Sequence, residues 1–323
     1  MSDSAAPYEG LDPDTLLDAL ETIGQHPSGS VLALNSYENR VYQFGLDDGG
    51  FVIGKFYRPG RLSDAAVREE HAFALELREE ELSCVAPLVI DGETLFEYQG
   101  YRFALFPRQG GHPPDIEIED NLRILARTLA RIHSVGRRGR FQDRPSLSVQ
   151  RFAVDSFDYL TGSDFIPDEL RPAYESTAQH LLERLDGCLD TAPMQRIHGD
   201  CHLGNLLWRE DTPHFIDFDD AMSGPPIQDL WMLLSGERSE RQHQLDVIIE
   251  AYEMFQNLDL STVALIEPLR TLRIMHHAAW IGRRWADPAF PPAFPWFADG
   301  RYWSDHVLTL REQLAALDEP PLL

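Results

Sequence analysis

The chain has 323 residues, of which 43% are hydrophobic, and its 53 acidic residues outweigh 28 basic ones to give a formal charge of −25. Such a surface excludes a broad nucleic-acid or anionic-membrane footprint, so any bound anion must be held locally. No stretch of about 18 apolar residues occurs and the start Met1-Ser2-Asp3-Ser4 lacks the regions of a signal peptide, which predicts a soluble, cytoplasmic protein with no membrane or nucleic-acid partner.

Asp12-Pro13 followed by Leu16, Leu20 and Ile23 before Gly24 has the cap, spacing and stop of a short helix. Arg40 to Phe44, the turn Asp47-Asp48-Gly49-Gly50, and Phe51 to Tyr57 predict a β-hairpin. The second strand carries Lys55, the single lysine of the chain; every other basic residue is arginine. A slim stem with a point charge, where arginine offers a broad fork, suits a site with room for one ammonium against a phosphate. A residual lysine left by chance in a lysine-poor composition is the alternative.

A helix is expected from Ser63. Ala66, Glu70, Phe73 and Leu77 are spaced 4, 3 and 4, so Glu70 lies in an apolar stripe and becomes the expected partner of Lys55, whereas Glu69 shares a solvated stripe with Glu76 and Glu80. Thr94 to Tyr98 and Gly100 to Phe106 read as two further strands joined at Gln99-Gly100, completing a small sheet with one helix. Pro107 to Pro114 breaks the periodicity as a linker. Beyond it the pattern is mainly helical, with Leu122, Leu125, Leu129 and Ile132 on one helix face and further helices at Leu230 to Leu234 and Leu245 to Phe255.

The densest chemistry lies in Ile197-His198-Gly199-Asp200-Cys201-His202-Leu203-Gly204-Asn205 and in His214-Phe215-Ile216-Asp217-Phe218-Asp219-Asp220. Leu206-Leu207-Trp208 and Phe215-Ile216 flank a turn and predict a hairpin centred on Asp211, which sets Asn205 opposite Asp217. An amide oxygen facing a carboxylate is a hard-oxygen Mg2+ site with positions left open for phosphate. Asp200, on the preceding loop, is placed to orient or deprotonate an attacking hydroxyl. Zinc or iron ligation by His198, Asp200, Cys201 and His202 is the competing reading; adjacent loop residues seldom converge on one ion. His198, His133 and His202 are expected to fix loops by hydrogen bonds, and Cys201 to pack. Cys84, Cys188 and Cys201, odd in number and far apart, suggest reduced thiols.

A strand lysine, a helix glutamate, Asp200 and Asn205 at D-x-x-x-x-N spacing, and Asp217 in Ile216-Asp217-Phe218 resemble the protein-kinase and aminoglycoside phosphotransferase superfamily. His198-Gly199-Asp200 stands for H-R-D and Ile216-Asp217-Phe218-Asp219 for D-F-G, while Asn35 to Tyr42 occupies the place of the glycine-rich loop without its glycines. The runs Leu34 to Tyr42, Lys55 to Pro59, His198 to His202, Gln228 to Leu234 and Arg284 to Pro291 are similar to the bacterial stress response kinase A family. That resemblance implies an α+β, protein-kinase-like bilobal fold. It has a small antiparallel-sheet lobe over residues 1–107 with one key helix, and a larger, mainly helical lobe over 108–323. It further implies a monomeric, Mg2+-dependent serine/threonine protein kinase of stress survival, using ATP, with Asp200 as proton acceptor and Asn205 and Asp217 holding Mg2+. By the same pattern Ser36 lies against ATP, Lys55 contacts its α- and β-phosphates, and Glu70 holds the lysine.

Residues Phe103 to Gln109 are expected to meet the adenine through backbone atoms, and Asp229 to tie down the catalytic loop. Eleven residues between Asp217 and Asp229 leave no long activation segment, which favours a small alcohol, sugar or amino alcohol as the alternative acceptor. A nucleotide-binding pseudokinase is the third reading. Arg273, Trp280, Arg283, Arg284, Trp285 and Trp296 are either lining for the acceptor side or core aromatics and surface arginines.

Overall fold

The computed structural model describes residues 7–323. Helix α1 (Pro13–Thr22) opens on Asp12, whose side chain accepts from the Thr15 amide at 2.8 Å. Strands β1 (Pro27–Ala33), β2 (Arg40–Leu46) and β3 (Phe51–Phe56) follow, then helix α2 (Asp64–Glu79), β4 (Phe96–Tyr98) and β5 (Tyr101–Pro107). The five strands form one sheet in the order β1-β2-β3-β5-β4, with every neighbour antiparallel. The edge strand β1 has no counterpart in the sequence reading: Pro27-Ser28-Gly29-Ser30 is turn-like in composition, and only pairing with β2 makes it a strand.

Period-two alternation gives the sheet two faces. Val52 and Phe56 of β3 pack with Leu16, Leu20, Phe44 and Phe103 beneath α1, while Ile53 and Lys55 point the other way. Gly54 lies between them because a Cβ there would stand 2.7 Å from the Phe44 ring. On the opposite face α2 buries Ala66, Glu70, Phe73 and Leu77, as its stripe predicts. Glu69 departs from the expected solvated position. Its carboxylate accepts from the amides of Gln142, Asp143 and Arg144 at 2.6–2.9 Å, because the chain returns over α2 there.

The rest is largely helical: α3 (Glu119–Gly136), a π-helical turn (Gln150–Val154) leading into α4 (Asp155–Thr161), and α5 (Arg171–Leu185). Two small ribbons follow, β6 (Gln195–Ile197) with β9 (Met222–Gly224), and the hairpin β7 (Leu206–Arg209) with β8 (Thr212–Phe215). Helices α6 (Ile227–Trp231), α7 (Arg238–Tyr252), α8 (Ile266–Arg283), α9 (Phe290–Ala293) and α10 (Gly300–Ala316) complete the chain. Leu122, Leu125, Leu129 and Ile132 of α3 are all buried, at about 1.5–3 kcal/mol of burial each. The segment after β5 is tied down at its end, where His112 and Trp208 exchange backbone hydrogen bonds with β7. No helix among the described residues is long and apolar enough to cross a membrane.

Candidate active site

Between the sheet and the helical part lies a cavity of about 1170 Å3, lined by Ser36, Lys55, Glu70, Asp200, Asn205 and Asp217 among others. All six residues singled out in the sequence therefore meet at one place. Lys55 enters from β3, paired to Val41 on one side and Ala104 on the other. Its Nζ lies 3.8 Å from Glu70 but closer to Asp217 (2.8 Å) and Asp219 (3.2 Å). Burial disfavours its charge, and Asp217, Asp219 and Glu70 more than restore it, so the ammonium is held well above its ordinary range.

Glu70 is clamped between Lys55 and Arg144, whose Nη1 is 3.2 Å away. Burial nevertheless pushes its carboxyl up to about 7, with Lys55 and Arg144 opposing. Arg144 also donates to the carbonyls of Asp219 and Ala221, at 2.6 and 2.5 Å.

The hairpin carries Asn205 and Asp217 at its two feet, with a register that differs slightly from the expected one. Glu210 and Asp211 both have positive φ, 51° and 57°, so a two-residue turn centres the ribbon between them. Asn205 therefore pairs with Ile216, whose amide donates to the Asn205 carbonyl at 3.1 Å, and Asp217 follows in the left-handed region at φ 58°. The Asn205 amide group donates to the Asp200 carbonyl at 2.9 Å, which leaves Oδ1 as the end not used by the loop. Asn205 Oδ1 and the half-exposed Asp217 carboxylate are hard oxygen donors, and Asp219 Oδ1 is a buried oxygen without a hydrogen bond. This donor set fits a divalent cation of the Mg2+ type.

The loop carrying Asp200 is anchored from below. Buried Asp229 accepts from the amides of His198 (2.9 Å) and Gly199 (2.8 Å) and bonds His133 (3.0 Å), as expected of a loop-fixing residue. His198, expected to fix its loop by hydrogen bonds, reaches the Ile216 carbonyl at 2.9 Å and so also joins the two halves of the site. Gly199 has φ 86°, and a Cβ there would sit 2.2 Å from the Asp220 carbonyl oxygen. Cys201 is fully buried and its thiol is pushed well up by burial, in keeping with packing. Asp200 faces Arg273 and, at 3.5 Å, His202. Burial would raise its carboxyl, but His202 and Arg273 outweigh this and hold it below the usual carboxylate range.

The loop between β1 and β2 substitutes polar bolts for glycines. Ser36 Oγ donates to the Asn39 carbonyl at 3.1 Å, and buried Asn39 donates to Asp219 at 2.9 Å and accepts from the Arg58 amide at 3.0 Å. Arg61 bridges Asp219 and Asp220. Glu38 takes Arg58 (2.9 Å), Arg284 (2.6 Å) and the Trp280 indole (2.7 Å), while Asp287 takes Arg40 (2.8 Å) and Arg58. Sequence reasoning missed Asn39, Arg58, Arg61, Asp219 and Asp287 as site residues. A run of three carboxylates at Asp217-Phe218-Asp219-Asp220 signals a need for cations, but the partners are over 150 residues away in the chain. Of the candidates from α8 onward, Arg273, Trp280, Arg283 and Arg284 line the cavity, whereas Trp285 and Trp296 belong to an aromatic cluster around Phe297.

Residues 30–265 match the phosphotransferase enzyme family. Over 100% of this chain and 98% of the relative, the chain is 43% identical to stress response kinase A of Salmonella choleraesuis (strain SC-B67). It is equally identical, with the same coverage, to serine/threonine protein kinase RdoA of Salmonella typhimurium (strain LT2). In structure it superposes on amicoumacin kinase hAmiN, determined with AMP-PNP, Ca2+ and Ami, with a TM-score of 0.74 and 17% identity across 96% of this chain and 95% of that one. That likeness bears out the protein-kinase-like fold. The chain belongs to the phosphotransferase enzyme family and, within it, to the stress response kinase A proteins.

Proposed function

We propose that the chain transfers the γ-phosphoryl group of ATP, with Mg2+, to serine or threonine hydroxyls of protein substrates. The observation that carries this reading is the convergence of Lys55, Asp200, Asn205 and Asp217 on one cavity. Lys55, held charged by the neighbouring carboxylates, offers a compact cation to the α- and β-phosphates, and Glu70 and Arg144 keep its stem in place. Asn205 Oδ1 and the Asp217 carboxylate would hold the metal. When bound, a divalent cation neutralises phosphate oxygens and favours in-line displacement.

Asp200, ionised and partly buried beside Arg273, accepts a hydrogen bond from the incoming hydroxyl and takes its proton late in transfer. Ser36 and neighbouring amides of the β1–β2 loop cover the phosphates, and Phe106 to Gln109 meet the adenine. The sheet part to about residue 107 serves as the nucleotide lobe and the remainder as the catalytic lobe. A protein acceptor is supported by the full-length likeness to a relative named serine/threonine protein kinase.

A second reading, a small hydroxylated acceptor, is favoured by the short path from Asp217 to Asp229. The path holds one turn, β9 and the start of α6, with no shelf for a peptide. Incubation with γ-labelled ATP and a cell extract, followed by separation of protein from metabolites, decides between the two. Label in protein is expected, and label confined to small molecules would overturn the protein reading. Asp200→Asn should lower transfer about 100-fold or more while leaving nucleotide binding in place. Near-normal turnover in that variant would remove Asp200 from its role.

A further inference from the structure

The cavity gathers positive charge within an acidic chain: eight cationic and seven carboxylate side chains line it, in a protein of formal charge −25. Six of the eight cations are claimed by carboxylates at ion-pair distance. Arg151 and Arg283 are not; among the described residues neither has a carboxylate side chain within reach. Arg151 comes from the π-helical turn before α4, Arg283 from the last turn of α8. Arg283 donates to the Asp155 carbonyl oxygen at 2.5 Å and lies over the Tyr159 ring at 5.1 Å, so it is positioned without being neutralised.

The wall they share has its own orphan. Arg273, His276, Trp280 and Arg283 recur along one face of α8, and the ring of His276 packs against Phe152, tilted by 38° with centroids 4.5 Å apart. Its Nδ1 is buried without a hydrogen-bond partner. Burial, with Arg151 and Arg283 adding to it, lowers this imidazole to about 3, so it is neutral and able to donate a proton in a hydrogen bond. Burial also lowers Arg151, as do Arg61, Arg144 and Arg283, against a partial offset from Asp220: cations are crowded here. The carboxylates on this side are Asp155, engaged by Gln150, Asp200, engaged by Arg273, and Asp220, engaged by Arg61.

We propose that Arg151 and Arg283, with His276 on the same wall, receive an anionic group carried beside the acceptor hydroxyl. The protein acceptor is then an acidic or already phosphorylated serine/threonine segment. Planar guanidinium forks suit carboxylate and phosphate alike. The inference rests on the phosphotransferase reading above and adds the charge of the acceptor to it.

The test is calorimetric, on the full chain saturated with Mg2+ and AMP-PNP. Three short serine peptides are compared, identical except that the serine is flanked by glutamate, by phosphoserine or by lysine. The glutamate or the phosphoserine peptide should bind about tenfold or more tightly than the lysine peptide, and the better of the two identifies the anion. Arg151→Glu with Arg283→Glu should abolish or reverse that order with AMP-PNP affinity unchanged, which also reports that the variant is folded. Equal or tighter binding of the lysine peptide, or a preference that survives the double substitution, would overturn the inference alone, whereas no measurable binding of any peptide would overturn it together with the protein acceptor. Failure of the unsubstituted protein to bind Mg2+ and AMP-PNP would overturn it together with the function on which it rests.

Discussion

At the scale of single residues the site is a problem of charge placement. Lys55 stands within 4 Å of three carboxylates, an arrangement that fits a compact ammonium on a slim stem. A guanidinium would keep the charge but need more width between Val41 and Ala104. Lys55→Arg should therefore lower kcat for phosphoryl transfer about 100-fold; full activity would make the lysine an accident of composition. Glu70 makes a complementary prediction through pH. Burial raises its folded carboxyl from the ordinary 4.5 to about 7, so the native state binds the extra proton across that window. The stability contributed by this group is fully present below about 4.5 and is lost as pH rises through about 7. Thermal unfolding of the protein and of Glu70→Gln between those limits should show the variant gaining on the parent by up to about 1.4 kcal/mol per pH unit. A gap that does not change with pH would contradict the raised value. Both residues were legible in the sequence, one by its rarity and one by its place in an apolar stripe. Asn39, Arg61 and Asp219 were not, because each acts through a partner that only the folded chain brings near.

Among the elements, the loop that precedes the ribbon of β7 and β8 is positioned by hydrogen bonds to one buried side chain. Asp229 anchors two consecutive loop amides and His133 at once. Asp229→Ala would orphan all three donors inside the protein, and an unfolding free energy lower by about 3 kcal/mol is expected, with a larger loss of transfer than of nucleotide affinity. Chemical denaturation and calorimetry read the two effects separately; wild-type stability in the variant would show that the loop stands without its anchor. The hairpin was legible from its strands and turn. Its register was not, because adjacent residues with positive φ move the centre by half a position, a backbone choice that Arg209 to Pro213 does not spell out. The stretch from α8 to Phe297 shows the same limit, since Trp285 and Trp296, beyond the helix, join the Phe297 cluster while Arg273 and Arg283 of α8 line the cavity.

For the whole molecule, ion pairs span the cleft as well as line it. Arg40 and Arg58 of the sheet part meet Asp287, and Glu38 meets Arg284 and Trp280 of α8, so the loop that stands where glycines are absent is bolted to the helical part. The expectation that nucleic acid and membrane surfaces are not partners rests on total charge, which is a property of composition, as does the demand that any anion be met by local cations. By itself the sequence determined the elements whose hydrophobic period is strong, the order of lysine, glutamate, aspartate, asparagine and aspartate along the chain, and the family. Tertiary structure alone decided that Lys55 lies nearer Asp217 and Asp219 than Glu70, that edge strand β1 forms, and that Arg151 and Arg283 meet no carboxylate side chain among the described residues. The division has a physical cause. Periodicity and turn chemistry act over a few neighbours, whereas ion pairs and edge pairing are chosen by distances that exist only after the chain has closed on itself.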